Sequence, residues 1–272
     1  MQAYHKIKIG SLIMALWAVA VMPVAADVVT FREGLNGYTG AEDTWLGNFS
    51  HPTVGWSNSN FGASTSLGIG DGSTTGTDIR RPIIRFDVSS LPVNAPIVSA
   101  TLTLREIFDG PSSGDFAFSV YQIADANASW IEGTGSNTGT AQTGAPSWNN
   151  RAHPSTPWAG SAGLSTAGTD YLATPVGSGL FTRNDNVMNS ISISLTPSLI
   201  GYWRTNVNAG LLIFSDVEAN GSFQHNNSFA SSEDVTGSFR PTLTVEFIPE
   251  PSAAMLLGIG VVFLARARNR MQ

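Results

Sequence analysis

Ile83-Ile84-Arg85-Phe86-Asp87-Val88-Ser89-Ser90-Leu91-Pro92, followed by Ile97-Val98-Ser99-Ala100-Thr101-Leu102-Thr103-Leu104, is the stretch that decides the fold. Side chains alternate across a strand, so Ile84, Phe86 and Val88 share one face. Ala100, Leu102 and Leu104 share a face in the second segment. Ser89-Ser90-Leu91-Pro92 leaves the first strand for a turn. The pattern repeats outward. Phe116-Ala117-Phe118-Ser119-Val120-Tyr121 and Ile191-Ser192-Ile193-Ser194-Leu195 alternate in the same way. Leu211-Leu212-Ile213-Phe214 is a continuous apolar run of the kind found in strands buried on both faces. Leu243-Thr244-Val245-Glu246-Phe247 closes the series, and Arg240-Pro241 before it predicts an edge or terminal strand. One brief helix is predicted, with Thr196 as N-cap, Pro197 at the first position, and Leu199, Ile200 and Trp203 on one side. Short alternating segments parted by turn residues predict a single all-β sandwich with one short helix.

Residues 126–179 break the pattern. They are rich in Gly, Ser, Thr and Pro and carry Trp130, Trp148 and Trp158. A connection of that length is expected to be functional or packed on itself. No internal repeat and no interdomain linker is found before Ile248.

The two ends differ from the middle. Residues 1–26 read as a secretory signal peptide: Lys6 and Lys8 form the basic region, residues 9–21 the apolar region, and Val24-Ala25-Ala26 a small-residue cleavage site. The competing reading is a retained membrane helix. At the other end, Pro249-Glu250-Pro251 precedes an apolar run over residues 253–265 and a basic cluster of Arg266, Arg268 and Arg270. Thirteen helical residues span roughly 20 Å, short of the roughly 30 Å of a bilayer core. The arginines set the C-terminus on the cytoplasmic side. The two prolines keep the preceding segment extended and accessible. The order of these parts resembles the PEP-CTERM sorting signal; the plainer reading is a tail anchor. The resemblance implies export by a Gram-negative bacterium that makes exopolysaccharide. It also implies transient anchoring in the inner membrane by a C-terminal transmembrane helix and processing near the triplet by an exosortase. The expected division is 1–26 signal peptide, 27–248 folded domain and 249–272 sorting signal. The end state is the cell surface or extracellular matrix.

The composition narrows the partners. Lys6 and Lys8 are the only lysines. Setting aside both, the three C-terminal arginines and Glu250 leaves nine basic and nineteen acidic residues in 27–248, out of 14 and 20 in the chain. A net charge near −10 disfavours nucleic acid and anionic surfaces. Cysteine is absent, so an exported domain must rely on a large core or a bound metal.

Several segments carry a second resemblance. They are the opening stretch, Asn58-Ser59-Asn60-Phe61-Gly62, Leu67-Gly68-Ile69-Gly70, Trp130-Ile131-Glu132-Gly133 and Pro146-Ser147-Trp148-Asn149-Asn150. The helix through Trp203, Asn208-Ala209-Gly210-Leu211-Leu212, Phe229-Ala230-Ser231-Ser232-Glu233 and Arg240-Pro241-Thr242-Leu243-Thr244-Val245 follow in order. Together, from about Thr44 to Phe247, they resemble the DNRLRE (disaggregatase-related) domains. The resemblance implies a jelly-roll-like sandwich, similar to carbohydrate-binding modules found beside polysaccharide lyases.

Sugar binding calls for aromatic faces and planar polar groups. Trp56, Trp148, Trp158, Tyr171 and Asn149 supply these from loops; the competing reading of the tryptophans is burial, and Trp130 and Trp148, beside turn residues, are expected to pin loops to the sandwich. Phe86 and Val88 are expected in the core with Ile84. Arg80, Arg81 and Arg85 form the one basic cluster, suited either to a uronate carboxylate or to ion pairs with Asp78 or Asp87. Asp71 and Asp78 with Gly68 and Gly70 offer oxygens for a structural calcium, or else form a solvated acidic turn. No cofactor is required. His51, His153 and His225 belong to no catalytic or metal motif. The expectation is a non-catalytic matrix or carbohydrate-binding component favouring a neutral glycan, or an acidic one bridged by calcium. The alternatives are a glycan-cleaving enzyme or accessory module, with an unassigned carboxylate pair, and a ligand-free structural protein.

Overall fold

The two segments of the opening stretch become long central strands, and the rest of the fold is arranged around them. The computed structural model describes residues 25–49, 55–72, 77–108, 115–136, 139–182, 188–216, 218 and 227–250. Residues 1–24, Pro251, Arg266, Arg268, Arg270, His51 and His225 lie outside the described residues. The strands are β1 (Asp27–Phe31), β2 (Ala41–Gly47), β3 (Ser66–Asp71), β4 (Ile79–Phe86), β5 (Ile97–Phe108), β6 (Phe116–Gln122), β7 (Asn150–Ala152), β8 (Thr156–Pro157), β9 (Gly177–Phe181), β10 (Ser190–Leu195), β11 (Leu211–Ser215), β12 (Asn227–Ala230) and β13 (Thr242–Phe247), with α1 (Pro197–Trp203).

All pairings among the named strands are antiparallel. One layer runs β2-β4-β11-β6-β9 and the other β10-β5-β13-β1; β3 and β12 join them, β3 pairing with β4 and β12 with β5. The layers enclose one core. Ile84 and Phe86 of β4, Phe116, Phe118 and Val120 of β6, and Leu211 and Ile213 of β11 meet Ala100, Leu102 and Leu104 of β5, Ile193 of β10 and Leu243 and Val245 of β13. Val88 is buried with them, as its place in the alternation predicts. The chain is thus a predominantly β sandwich.

Of the edge or terminal strand expected after Pro241, the terminal reading holds: β13 is the last strand among the described residues and lies between β1 and β5 rather than at an edge, with Pro241 just before its first paired residue, where no ladder hydrogen bond is lost. Thr196 is the N-cap of α1 as expected; its hydroxyl makes no cap bond and donates to the Val176 carbonyl at 3.2 Å.

The long connection packs on the sheet. Leu46 of β2, Ile83 of β4 and Leu212 of β11 point away from the main core and meet Trp130, Trp158 and Leu164 in a second apolar cluster. Hence β11 reads as a continuous apolar run: both of its faces are covered. Trp130 donates its indole N–H to the Ala209 carbonyl at 2.8 Å, which fastens the connection to the strand entry. Asp170, fully buried, takes N–H bonds from Gly160, Ser161 and Thr166 and from the Asn127 amide, which closes the connection on itself.

No helix among the described residues is long and apolar enough to cross a membrane. The apolar part of the expected signal peptide, residues 9–21, and the apolar run over residues 253–265 lie outside those residues.

Candidate functional site: a polar cleft and a buried carboxylate cluster

β4 places its arginines alternately, and each finds internal partners. Arg81 and Arg85 share the outer face of the sheet with Ile83. Arg81 pairs with Glu218 at 2.8 Å and donates to the Gly163 carbonyl and the Ser165 hydroxyl. Its guanidinium lies 4.2 Å from the Phe214 ring centre and 4.9 Å from that of Trp148. Arg85 pairs with Glu42, directly opposite on β2, donates to the Ala128 carbonyl at 2.9 Å, and sits 4.6 Å from the Trp130 ring. Both arginines clamp the long connection to the sheet. Arg80 faces the other way, pairs with Asp78 at 2.6 Å and lies 5.0 Å from the Trp56 ring. Of the two ion-pair partners expected from sequence, Asp78 is used by Arg80, while Asp87 is replaced by Glu218 and Glu42.

The aromatic candidates separate into groups. Trp158 is buried and bonds the Ser147 carbonyl through its indole N–H, so it has no face for a sugar ring. Trp148 is half-buried; a Cβ on Gly163 would collide with its ring, so that backbone lies flat against it. Tyr171 packs edge-on to Tyr121 beside Phe214. Burial raises its pKa from the ordinary value, with the neighbouring Tyr121 adding to the shift. Trp56 sits in a cluster with Trp45, Phe49 and Phe61. Asn149 is exposed and bonds Asn58 at 3.0 Å. Trp148, Trp158, Tyr171 and Arg81 are thus brought together, but as the packed underside of the connection. They do not form an open groove with Arg85.

Asp71 and Asp78 also differ from the expected calcium loop. Gly68, Gly70 and Asp71 belong to β3, so they are strand rather than loop. Both oxygens of Asp78 accept from Arg80, at 3.1 and 2.6 Å. Burial raises the Asp78 pKa, and the Arg80 bonds pull it back down.

Two other places gather polar chemistry. The first is an open cleft of about 430 Å³ between the β2/β4 end and α1, lined in part by Glu42, Arg85, Asp87, Trp203, Arg204 and Asn208. That volume is within the range of ligand sites. Asn208 is held by the Phe86 carbonyl and the Gly210 N–H. Arg204 is anchored through Nη1 to the Pro92 and Ala95 carbonyls. Its Nε, and the Nε1 of Trp203, are buried with no hydrogen-bond partner among the described residues. The cleft is therefore lined by arginines held by protein partners, by the buried Trp203 and by two carboxylates.

The second is a cluster of Asp43, Glu132 and Glu233, one carboxylate oxygen from each lying within 4.8 Å of the others. Asp43 shares the β2 face of Ala41 and Trp45 and is 1% exposed. Its N–H donates to Glu132 at 2.8 Å, and its Oδ2 accepts from the Ser232 N–H at 2.8 Å. Glu132 is positioned by Asn60, whose amide donates to the Glu132 and Pro146 carbonyls and accepts from Gly62 and Gly135. Gly62 is required there, since a Cβ would collide with the Glu132 carbonyl. Burial, then the neighbouring carboxylates, push Glu132 up to about 7. Burial followed by the Glu233 charge raises Asp43 well above the usual carboxylate range, and burial raises Glu233.

Most of these residues lie in segments that carry the DNRLRE resemblance, yet neither grouping is legible as a site from spacing. The one available signal is Asp43, an acid on the apolar face of an alternating strand. No family model matches the chain, and no curated protein matches it.

Proposed function

We propose that this chain is an exported, non-catalytic carbohydrate-binding component of an exopolysaccharide matrix, built on a jelly-roll-like sandwich of the DNRLRE type. The observation that carries this reading is the polar cleft. Sugar hydroxyls both donate and accept, and the cleft is lined by the carboxylates of Glu42 and Asp87 beside the guanidinium groups of Arg85 and Arg204, with Trp203 in its wall. These groups stand on strand ends and a helix, so they are held in place before a ligand arrives. Carboxylates at the cleft and a net charge near −10 over residues 27–248 favour a neutral glycan, or an acidic one bridged by a divalent cation.

The sorting half of the proposal rests on the tail. Ile248 is the only residue between β13 and Pro249-Glu250, and its N–H donates to the Pro96 carbonyl. The folded domain would be held close to the inner membrane until an exosortase cuts near the triplet.

A glycan array with a parallel depolymerisation assay on the full chain tests the binding function. Binding without product release is expected, with roughly tenfold weaker binding in Asp87→Ala, about one charged hydrogen bond. Release of shortened glycan would contradict it. Intact mass of the exported protein tests the sorting: loss of the segment beyond about Ile248 supports it, and a retained arginine tail contradicts it.

A further inference from the structure

We propose that Asp43, Glu132 and Glu233 form a binding site for a hard divalent cation of the Ca²⁺ type. Three chain segments far apart in sequence each send one carboxylate to this point: β2, the long connection and the turn after β12. Asp43 Oδ1 and Glu233 Oε2 are buried and have no hydrogen-bond partner among the described residues. Two unpaired carboxylate oxygens inside a protein are costly unless a proton or a cation sits between them. The ion pairs found among the described residues go elsewhere, to Asp78, Glu218 and Glu42.

The donor set selects the ion. All three groups are carboxylates, the hard oxygen ligands of calcium and magnesium rather than of softer transition metals. Two oxygens on one Ca²⁺ stand at most about 5 Å apart, twice a bond of roughly 2.3–2.6 Å. A spacing within 4.8 Å fits that span. Mg²⁺ makes stricter octahedral demands and gives up its waters reluctantly, so a cluster of three protein carboxylates suits Ca²⁺ better. The carboxylates are already held where such an ion needs them. Asn60 fixes the backbone of Glu132, and the Ser232 N–H and hydroxyl fix Asp43, Glu132 and Glu233. A bound ion would tie β2 to the long connection and to the 231–234 turn.

The test uses the full chain stripped with a chelator. Calorimetry is expected to show one Ca²⁺ site, and a hundredfold excess over Kd to raise Tm by about 5 °C or more. Asp43→Asn and Glu233→Gln keep the side-chain shape and are each expected to abolish both signals. Glu246→Gln, on the surface of β13, is expected to keep them. Absence of Ca²⁺ heat in the wild-type chain would overturn the site, as would unchanged binding in both variants. Mg²⁺ binding as tight as Ca²⁺ would overturn the choice of ion. No glycan enters the measurement, so its failure would leave the cleft untouched.

Discussion

Asp170 and Asp43 are both buried carboxylates, and their surroundings are opposite. Asp170 is ringed by four N–H donors, three from the backbone and one from Asn127, at 2.7–3.2 Å. Asp43 has one donor on Oδ2, none on Oδ1, and two further carboxylates as neighbours. A ring of amide donors stabilises a carboxylate with nothing further required. A carboxylate cluster must instead hold protons or a cation. The long connection uses the first device to fold on itself, and Glu132, on the same connection, takes part in the second.

Asp170→Ala should have the largest effect on stability. Four donors would lose their acceptor, so a loss of about 3–5 kcal/mol is expected. It should read as a lower urea midpoint and early proteolysis within residues 126–179. Gly62→Ala should cost about 2 kcal/mol, because the added Cβ displaces the Glu132 carbonyl. It should also weaken any Ca²⁺ response by shifting Glu132. Urea melts with and without Ca²⁺ measure both effects.

The metal-free chain should lose stability as pH rises. Glu132 carries its proton up to about 7 when folded, against an ordinary value of 4.5. Between those values the folded state binds more protons than the unfolded one. Its contribution is therefore complete below about pH 4.5 and is lost as pH climbs through 7. The change should be on the order of 1 kcal/mol after solvent screening, and saturating Ca²⁺ should flatten or reverse it. Thermal melts at pH 5 and pH 8 check the sign. Glu233→Gln should have the smallest effect, a gain under about 1 kcal/mol at pH 8 without metal, since it removes one repelling charge. A matching Asp170→Asn change should lower stability, and that opposite sign sharpens the contrast.

The strands named from alternation, at 83–88, 99–104, 116–121, 191–195, 211–214 and 243–247, all fall within or overlap strands of the sandwich, and the short helix is where Pro197 puts it. Their periodicity comes from one face meeting one core, which sequence records directly. β2, β3 and β12 are harder to see. β2 carries acids at positions 42 and 43, and β3 interleaves glycines with Leu67 and Ile69. β12 is short, and all four of its residues are buried, so its polar side chains mark no outer face. The long connection was recognisable as packed or functional, and its Trp130 and Trp158 serve the packing. The site was not legible, because it depends on which distant segments meet. Arg81 had only the nearby Asp78 and Asp87 as ion-pair candidates in sequence, and its partner is Glu218, 137 residues away. Asp43, Glu132 and Glu233 share no spacing motif at all.

The binding account turns on the cleft at Trp203, and tryptophan indole NMR during a glycan titration tests it most directly. The Nε1–H of Trp203 has no partner among the described residues, whereas those of Trp130 and Trp158 are bound to backbone carbonyls. Addition of a binding glycan should move the Trp203 resonance and leave the Trp130 and Trp158 resonances in place. A glycan that binds while Trp203 stays still and Trp148 or Trp56 moves would contradict the cleft as the binding site.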